Sequence, residues 1–272
     1  MAEKNLDFDT VIDRTHTNSL KYDFAVQRGK PKDVLPLWVA DMDFQVSSYI
    51  QEALSGSVAH GIFGYSEAEG SYFEAVAGWM SRHYGWNVEE TWLVKTPGIV
   101  FALAQAVRAF TEPGDAVLLQ QPVYYPFSQV IRDNGRKIVD NTLVQGEDGR
   151  YRIDFADFEE KIRSCKVKLF FLCNPHNPVG RVWTREELLR LGDICEKYGV
   201  IVVSDEIHAD FVFEGSHQVL VGLKESYRKF VVTCTAPSKT FNLAGLQVSN
   251  IFIPDDALRR KFEQAVAASG YS

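Results

Sequence analysis

Apolar and polar positions follow two different periods along this chain. Helix-like spacing, with apolar residues recurring three and four apart, covers roughly 47–59 and 69–84. The glycine-punctuated run Gly61-Ile62-Phe63-Gly64-Tyr65 separates these two stretches. Pro97-Gly98 then opens a third apolar helix that runs to about Phe110 and is stopped by Glu112-Pro113-Gly114-Asp115. Beyond it, short apolar runs take over as strand candidates: Ala116–Leu119, Lys137–Asn141, Val167–Cys173, Val200–Ser204, Phe230–Cys234 and Val248–Ile253. Helices are expected between or after them, near 125–134, 154–164, 184–198 and 255–269. Thr184 followed by Glu186-Glu187 gives the third of these a capped, acidic start. Residues 1–45 are irregular and rich in Asp, Pro and aromatics, so a first segment of 1–45 and a main domain of 46–272 are expected. The alternation predicts an α/β fold whose sheet is mainly parallel and covered on both faces.

Composition narrows the function classes. The 272 residues are 46% hydrophobic and 24% charged, as in an ordinary globular protein. A net charge of -7, with basic residues scattered, argues against a nucleic-acid or anionic-membrane surface. The first residues lack the apolar core of a signal peptide. No stretch approaches the ~20 apolar residues of a membrane helix. The four cysteines form no CxxC pair, and three lie in or beside apolar runs, which reads as a reducing, cytoplasmic interior. Six dispersed histidines, without an HExxH pair, make a metal site unexpected.

Ligands of open α/β sheets bind just beyond the carboxyl ends of the strands. Three polar motifs stand at such ends here: Asn174-Pro175-His176-Asn177-Pro178-Val179-Gly180, then Asp205-Glu206-Ile207-His208, then Ala236-Pro237-Ser238-Lys239-Thr240. Their convergence on one rim is a site expectation in its own right. Lys239, behind a serine and ahead of small and apolar residues, is placed to hold an amine in a dry pocket. A desolvated amine can condense with an aldehyde, which is how enzymes anchor pyridoxal phosphate (PLP). Asp205 follows a run apolar enough to bury both faces, where a carboxylate needs a cationic partner. A pyridinium nitrogen would supply one, and a helix cap is the plain alternative. Asn177 can serve an Asx turn, or aim its amide at a ligand, or both. Gly98-Ile99-Val100 open a helix whose backbone N–H groups can take a phosphate. No GxGxxG or GxxxxGK[ST] supports a nucleotide.

Taken together and in this order, these motifs resemble the PLP-dependent class I/II aminotransferase superfamily, and their wording is most similar to its cystathionine β-lyase and cysteine-S-conjugate β-lyase branch. The resemblance implies PLP-transferase fold type I, with a large domain built on a mainly parallel, seven-stranded sheet. It implies that Lys239 binds the cofactor aldehyde and moves the substrate Cα proton, and that Asp205 pairs with the ring nitrogen. Asn177 would face the phenolic oxygen. His208, where many aminotransferases carry tyrosine, would do the same or be a structural histidine. Tyr124 would stack on the ring, or merely pack. Ser238, with the Ile99 and Val100 amides, would hold the phosphate. Tyr65 would reach the phosphate of a neighbouring subunit, making a homodimer, or be an ordinary exposed or core tyrosine.

Gln247 stands where many aminotransferases carry a phosphate-binding arginine, which with Asp205-Glu206-Ile207-His208 and Trp38-Val39-Ala40-Asp41-Met42-Asp43-Phe44 favours the lyase branch. Its reaction eliminates a thiol from L-cystathionine or a cysteine conjugate, leaving pyruvate and ammonia. An aminotransferase of the same fold, or a PLP-binding regulatory protein without turnover, is the alternative. Relatives continue into a small C-terminal domain, against which segment 1–45 would pack and which carries an arginine for the substrate carboxylate. That domain is expected to be largely absent here, since the sequence stops at Gly270-Tyr271-Ser272.

Overall fold

A computed structural model describes residues 7–271. Residues 1–6 of the expected first segment, and Ser272, lie outside the described residues. The chain divides into two units, Met1–Glu67 with Phe241–Leu246, and Ala68–Thr240 with Gln247–Ser272.

The first unit holds turns, a short 3-10 turn at Val26–Arg28, and helix α1 (Ser48–His60). Its polar centre is an ion network. Arg14 reaches Asp41 and Asp43, each at 2.6 Å, and the nearly buried Lys21 reaches Asp43 at 3.0 Å. Asn242, in left-handed backbone with φ 56°, accepts from the Met42 N–H at 2.9 Å and donates back to the Met42 carbonyl at 3.1 Å. The distant 241–246 segment is tied into the unit in this way.

The second unit opens with α2 (Gly70–Tyr84) and strand β1 (Leu93–Thr96). Then come α3 (Ile99–Phe110), β2 (Ala116–Leu119), α4 (Tyr125–Asp133) and β3 (Lys137–Asp140). A two-stranded hairpin, β4 (Val144–Gln145) and β5 (Tyr151–Arg152), precedes α5 (Phe155–Cys165). There follow β6 (Leu169–Cys173), α6 (Arg185–Tyr198), β7 (Ile201–Asp205) and β8 (Val231–Thr235). The one-turn helix α7 (Pro237–Thr240), β9 (Ser249–Phe252) and α8 (Asp256–Ala268) complete it.

Among the described residues, seven strands form one sheet in the order β1-β9-β8-β7-β6-β2-β3. Within it only β9 runs antiparallel to both its neighbours. All six expected strands are present, within about two residues of the expected bounds. The seventh, β1, has no counterpart among the expected strands, nor does the hairpin. Its four residues carry Lys95 in mid-strand, too short and too polar a run to stand out.

Strand alternation builds the two cores. In β6, Leu169, Phe171 and Cys173 face α3, α4 and α8, while Phe170 and Leu172 face α5 and α6. Both faces are covered, so every β6 side chain is buried. α6 starts on the anticipated cap: the Thr184 hydroxyl accepts from the Glu187 N–H at 3.2 Å, and the Glu187 carboxylate accepts from the Thr184 N–H at 2.8 Å. No helix among the described residues is long and apolar enough to cross a membrane.

One glycine fixes a close approach. A Cβ on Gly192 of α6 would lie 2.4 Å from the ring of Tyr227. That ring is fully buried, and its hydroxyl donates to Asp193 at 2.6 Å and lies 2.9 Å from the Leu189 carbonyl, so it cannot step aside. Gly192→Ala should therefore cost about 1–3 kcal/mol through overpacking. That outweighs the roughly 1 kcal/mol that alanine gains in helix propensity. A urea-unfolding midpoint lower than that of the parent protein is the expected result.

Candidate functional site

Strands β6, β7 and β8 lie side by side and parallel at the centre of the sheet, so their carboxyl ends form one rim. The ladder continues one residue past each end. The Asn174 N–H donates to the Asp205 carbonyl, and the Glu206 N–H to the Cys234 carbonyl, both at 2.9 Å. The segments carrying Asn177, Asp205 and Lys239 therefore leave the sheet in register.

Asp205 is the last residue of β7, and its carboxyl group is buried. No helix follows it, so the helix-cap alternative does not hold. The carboxylate instead accepts from the Ile207 N–H at 3.1 Å, closing an Asx-type turn. Burial pushes its pKa up to about 7, against the lowering effect of that N–H and of the Lys239 ammonium. A carboxyl group held in this way gains a full charge when a cationic N–H donor enters the site.

Lys239 lies half-buried in α7, directly after β8. Its charge reaches His208 as well. Burial first, and Lys239 second, hold the half-buried His208 imidazole below its ordinary range. Tyr124 is raised by burial, then by Tyr125 and by the Asp205 charge. Asp205, Lys239, His208 and Tyr124 thus share one electrostatic neighbourhood.

Asn177 joins them through the backbone. Its carbonyl accepts from the Tyr124 N–H at 3.0 Å, and its own N–H donates to the buried Cys173 sulfur at 3.4 Å. His176 fastens the same two loops a second time, donating from Nε2 to the Pro122 carbonyl at 3.0 Å. Burial lowers the His176 pKa to about 4, which keeps this imidazole neutral.

Gly98 leads into α3 without a side-chain cap, and the first intrahelical bond runs from the Ala102 N–H to the Gly98 carbonyl. The Ile99, Val100 and Phe101 N–H groups precede that bond and have no helical acceptor. Ile99 is buried and Val100 is exposed. α3 packs over β7 and β8, and β1 lies two strand spacings, or about 10 Å, from β8. This helix start and the half-buried Ser238 therefore share the rim with Lys239. Tyr65 belongs to the first unit, where its side chain is fully exposed.

The rim chemistry fits PLP. A buried carboxyl group suits a protonated ring nitrogen, a lysine suits the aldehyde, and an uncapped helix start and a serine on the same rim suit a dianionic phosphate.

Two polar clusters behind the rim escaped sequence reasoning. Glu206 is buried, and its carboxylate accepts from the Ser204 hydroxyl at 2.8 Å, the Leu220 N–H at 3.3 Å and His217 Nε2 at 2.7 Å. The Glu206 and His217 side chains are each only 1% exposed. Glu206→Ala would strand these donors in a dry site. At about 1–3 kcal/mol for each unsatisfied group, a loss of about 3 kcal/mol or more is expected in denaturant unfolding. The second cluster centres on Asp210, which accepts from the Tyr84 hydroxyl, the Trp79 indole N–H at 3.3 Å and the Thr240 hydroxyl. These partners are far apart in sequence, and no local motif marks them.

The architecture recurs in known proteins. Cystathionine β-lyase PatB of Bacillus subtilis is 48% identical over 266 residues, covering 97% of this chain and 68% of that protein. The crystal structure of cystalysin from Treponema denticola, which contains a pyridoxal 5'-phosphate cofactor, superposes with a TM-score of 0.93 at 37% identity. That match covers 98% of this chain and 68% of cystalysin. A PLP-bound C–S lyase from Staphylococcus hominis, complexed with L-cycloserine, gives a TM-score of 0.89 at 35% identity, over 95% of this chain and 66% of the lyase. This chain thus spans about two thirds of the length of each. The family model for class I and II aminotransferases matches residues 32–271. With that match running through all three rim motifs, the chain belongs to the class I and II aminotransferase family.

Proposed function

We propose that this protein is a PLP-dependent carbon–sulfur β-lyase that eliminates a thiol from L-cystathionine or a related cysteine S-conjugate, the remaining three-carbon fragment taking up water to give pyruvate and ammonia. The observation that carries this reading is the meeting of Asn177, Asp205 and Lys239 on one rim, in a chain 48% identical to a cystathionine β-lyase. When bound, PLP supplies an electron sink for the carbanion formed at the substrate Cα.

The remaining work falls to this chain's residues. Lys239 Nζ would hold the cofactor aldehyde, and its amine would move the proton at the substrate Cα. Asp205 would keep a proton on the ring nitrogen. Asn177 and His208 would donate to the phenolic oxygen, and Tyr124 would pack on the ring. The Ile99 and Val100 amides and the Ser238 hydroxyl would hold the phosphate. Departure of sulfur as a thiolate needs little help, because thiols are far more acidic than alcohols.

We further propose that the protein works as a homodimer in the cytoplasm, with the exposed Tyr65 offered to the partner's phosphate site. Incubating the PLP-loaded protein with L-cystathionine alone separates the lyase from a transaminase. The lyase reading expects pyruvate and free thiol in equal amounts without any 2-oxo acid. Keto-acid formation only when a 2-oxo acid acceptor is added would reassign the chain as an aminotransferase.

A further inference from the structure

We infer that Asp210 is a positioning residue that sets the lysine-bearing turn, acting through Thr240. The inference rests on the reading that Lys239 carries the cofactor. Lys239 sits in a helix of a single turn, Pro237–Thr240, too short to hold its own geometry through helical hydrogen bonds. Upstream the turn is fixed by β8. Downstream, Thr240 is tethered: its hydroxyl donates to Asp210 Oδ2. The other oxygen, Oδ1, accepts from both the Tyr84 hydroxyl and the Trp79 indole N–H, at the carboxyl end of α2.

The far anchors are themselves held. The Trp79 indole stacks on His83 with ring centroids 3.9 Å apart. The Tyr84 ring meets His217 edge-on at 5.4 Å, and His217 bonds the buried Glu206 beside Asp205. Burial and the Asp210 carboxylate push the Tyr84 hydroxyl pKa upward, so it stays a donor. A continuous line of contacts therefore joins the residue after Lys239 to the residue after Asp205. Within that line, Asp210 is the member that bonds the lysine turn directly.

A carboxylate suits this place because it offers two acceptor oxygens facing opposite ways. Alanine at 210 would leave the Thr240, Tyr84 and Trp79 donors without their acceptor. Asparagine would keep an oxygen for Tyr84 and Trp79, and its amide could donate to the Thr240 oxygen. The tether would be preserved with its donor reversed.

The test needs no turnover. Apo protein is mixed with PLP, and the borohydride-reducible visible band is followed in the parent chain, Asp210→Ala, Asp210→Asn, Thr240→Val and Lys239→Ala. Each apo variant is also melted, to separate local from global effects. Loss of a charge-assisted hydrogen bond is expected to weaken PLP binding about tenfold or more in Asp210→Ala and Thr240→Val. Asp210→Asn should recover most of that loss, and Thr240→Val should melt like the parent. If Asp210→Ala fails to fold, Thr240→Val and Tyr84→Phe carry the test. PLP binding at parental strength in Thr240→Val and Asp210→Ala would overturn the positioning role, even with the band absent from Lys239→Ala. A band that survives in Lys239→Ala would instead remove the underlying reading.

Discussion

Replacing Lys239 by alanine is expected to abolish both the covalent cofactor band and thiol elimination. The lysine performs two tasks in the proposed reaction, holding the aldehyde and moving the Cα proton, and no second amine is assigned to either. General acid–base catalysis alone contributes about 10²–10⁴-fold, so a fall in kcat/KM of at least about 10² should follow. Lys239 is half-buried on a one-turn helix and outside the two apolar cores, so the apo variant should still fold. Steady-state assay of pyruvate, beside thermal melts of the same samples, checks both halves. Near-parental turnover in Lys239→Ala would move the catalytic base to another residue.

The second large effect concerns Asp205, and it has opposite signs for stability and for function. Burial raises this carboxyl from 3.8 to about 7 in the unliganded protein. Between roughly pH 4 and pH 7 the folded chain therefore retains a proton that the unfolded chain has released. Folding gains from Asp205 are fully present below the unfolded pKa, and they are lost as pH rises through the folded one. At about 1.4 kcal/mol per pKa unit, the loss amounts to about 4 kcal/mol. An asparagine side chain in the same place would stay neutral and still accept from the Ile207 N–H.

Asp205→Asn should thus make the apo protein more stable than its parent at neutral and alkaline pH, and remove this component of the pH slope. Catalysis should move the other way, because the ring nitrogen loses the anion that keeps it protonated. Losing one such preorganised electrostatic partner typically costs about 10²–10³ in kcat. Urea melts of parent and variant across this pH range, paired with pyruvate assays, test the linkage. Parallel stability curves for the two proteins would count against a buried, proton-holding Asp205.

The legible and illegible parts of this fold differ in range. Strands such as Leu169–Cys173 and Val231–Thr235 announce themselves because both faces are covered, so every position is buried and most are apolar. β1 does not, since Lys95 interrupts four residues and the strand is defined mainly by its pairing with Ser249–Phe252. The rim motifs were legible as polar words at the ends of apolar runs, which is where open α/β sheets place ligands. Asp205 shows the limit of local reading: the same residue suits a helix cap or a turn, and only the backbone after it decided for the turn. The supports behind the rim were out of reach. Asp210 meets Tyr84 and Trp79 across 126 and 131 residues, and His217 reaches Glu206 from a later loop. Such partners are chosen by topology, and neither periodicity nor spacing records them.

The most direct test of the central claim is to load the protein with PLP, reduce it with borohydride, and map the pyridoxyl mass onto its peptides. A single modified site is expected, on the peptide carrying Lys239, and none after Lys239→Ala. Modification at another lysine, or no modification of the folded and loaded protein, would contradict the assignment of Lys239 as the cofactor's anchor.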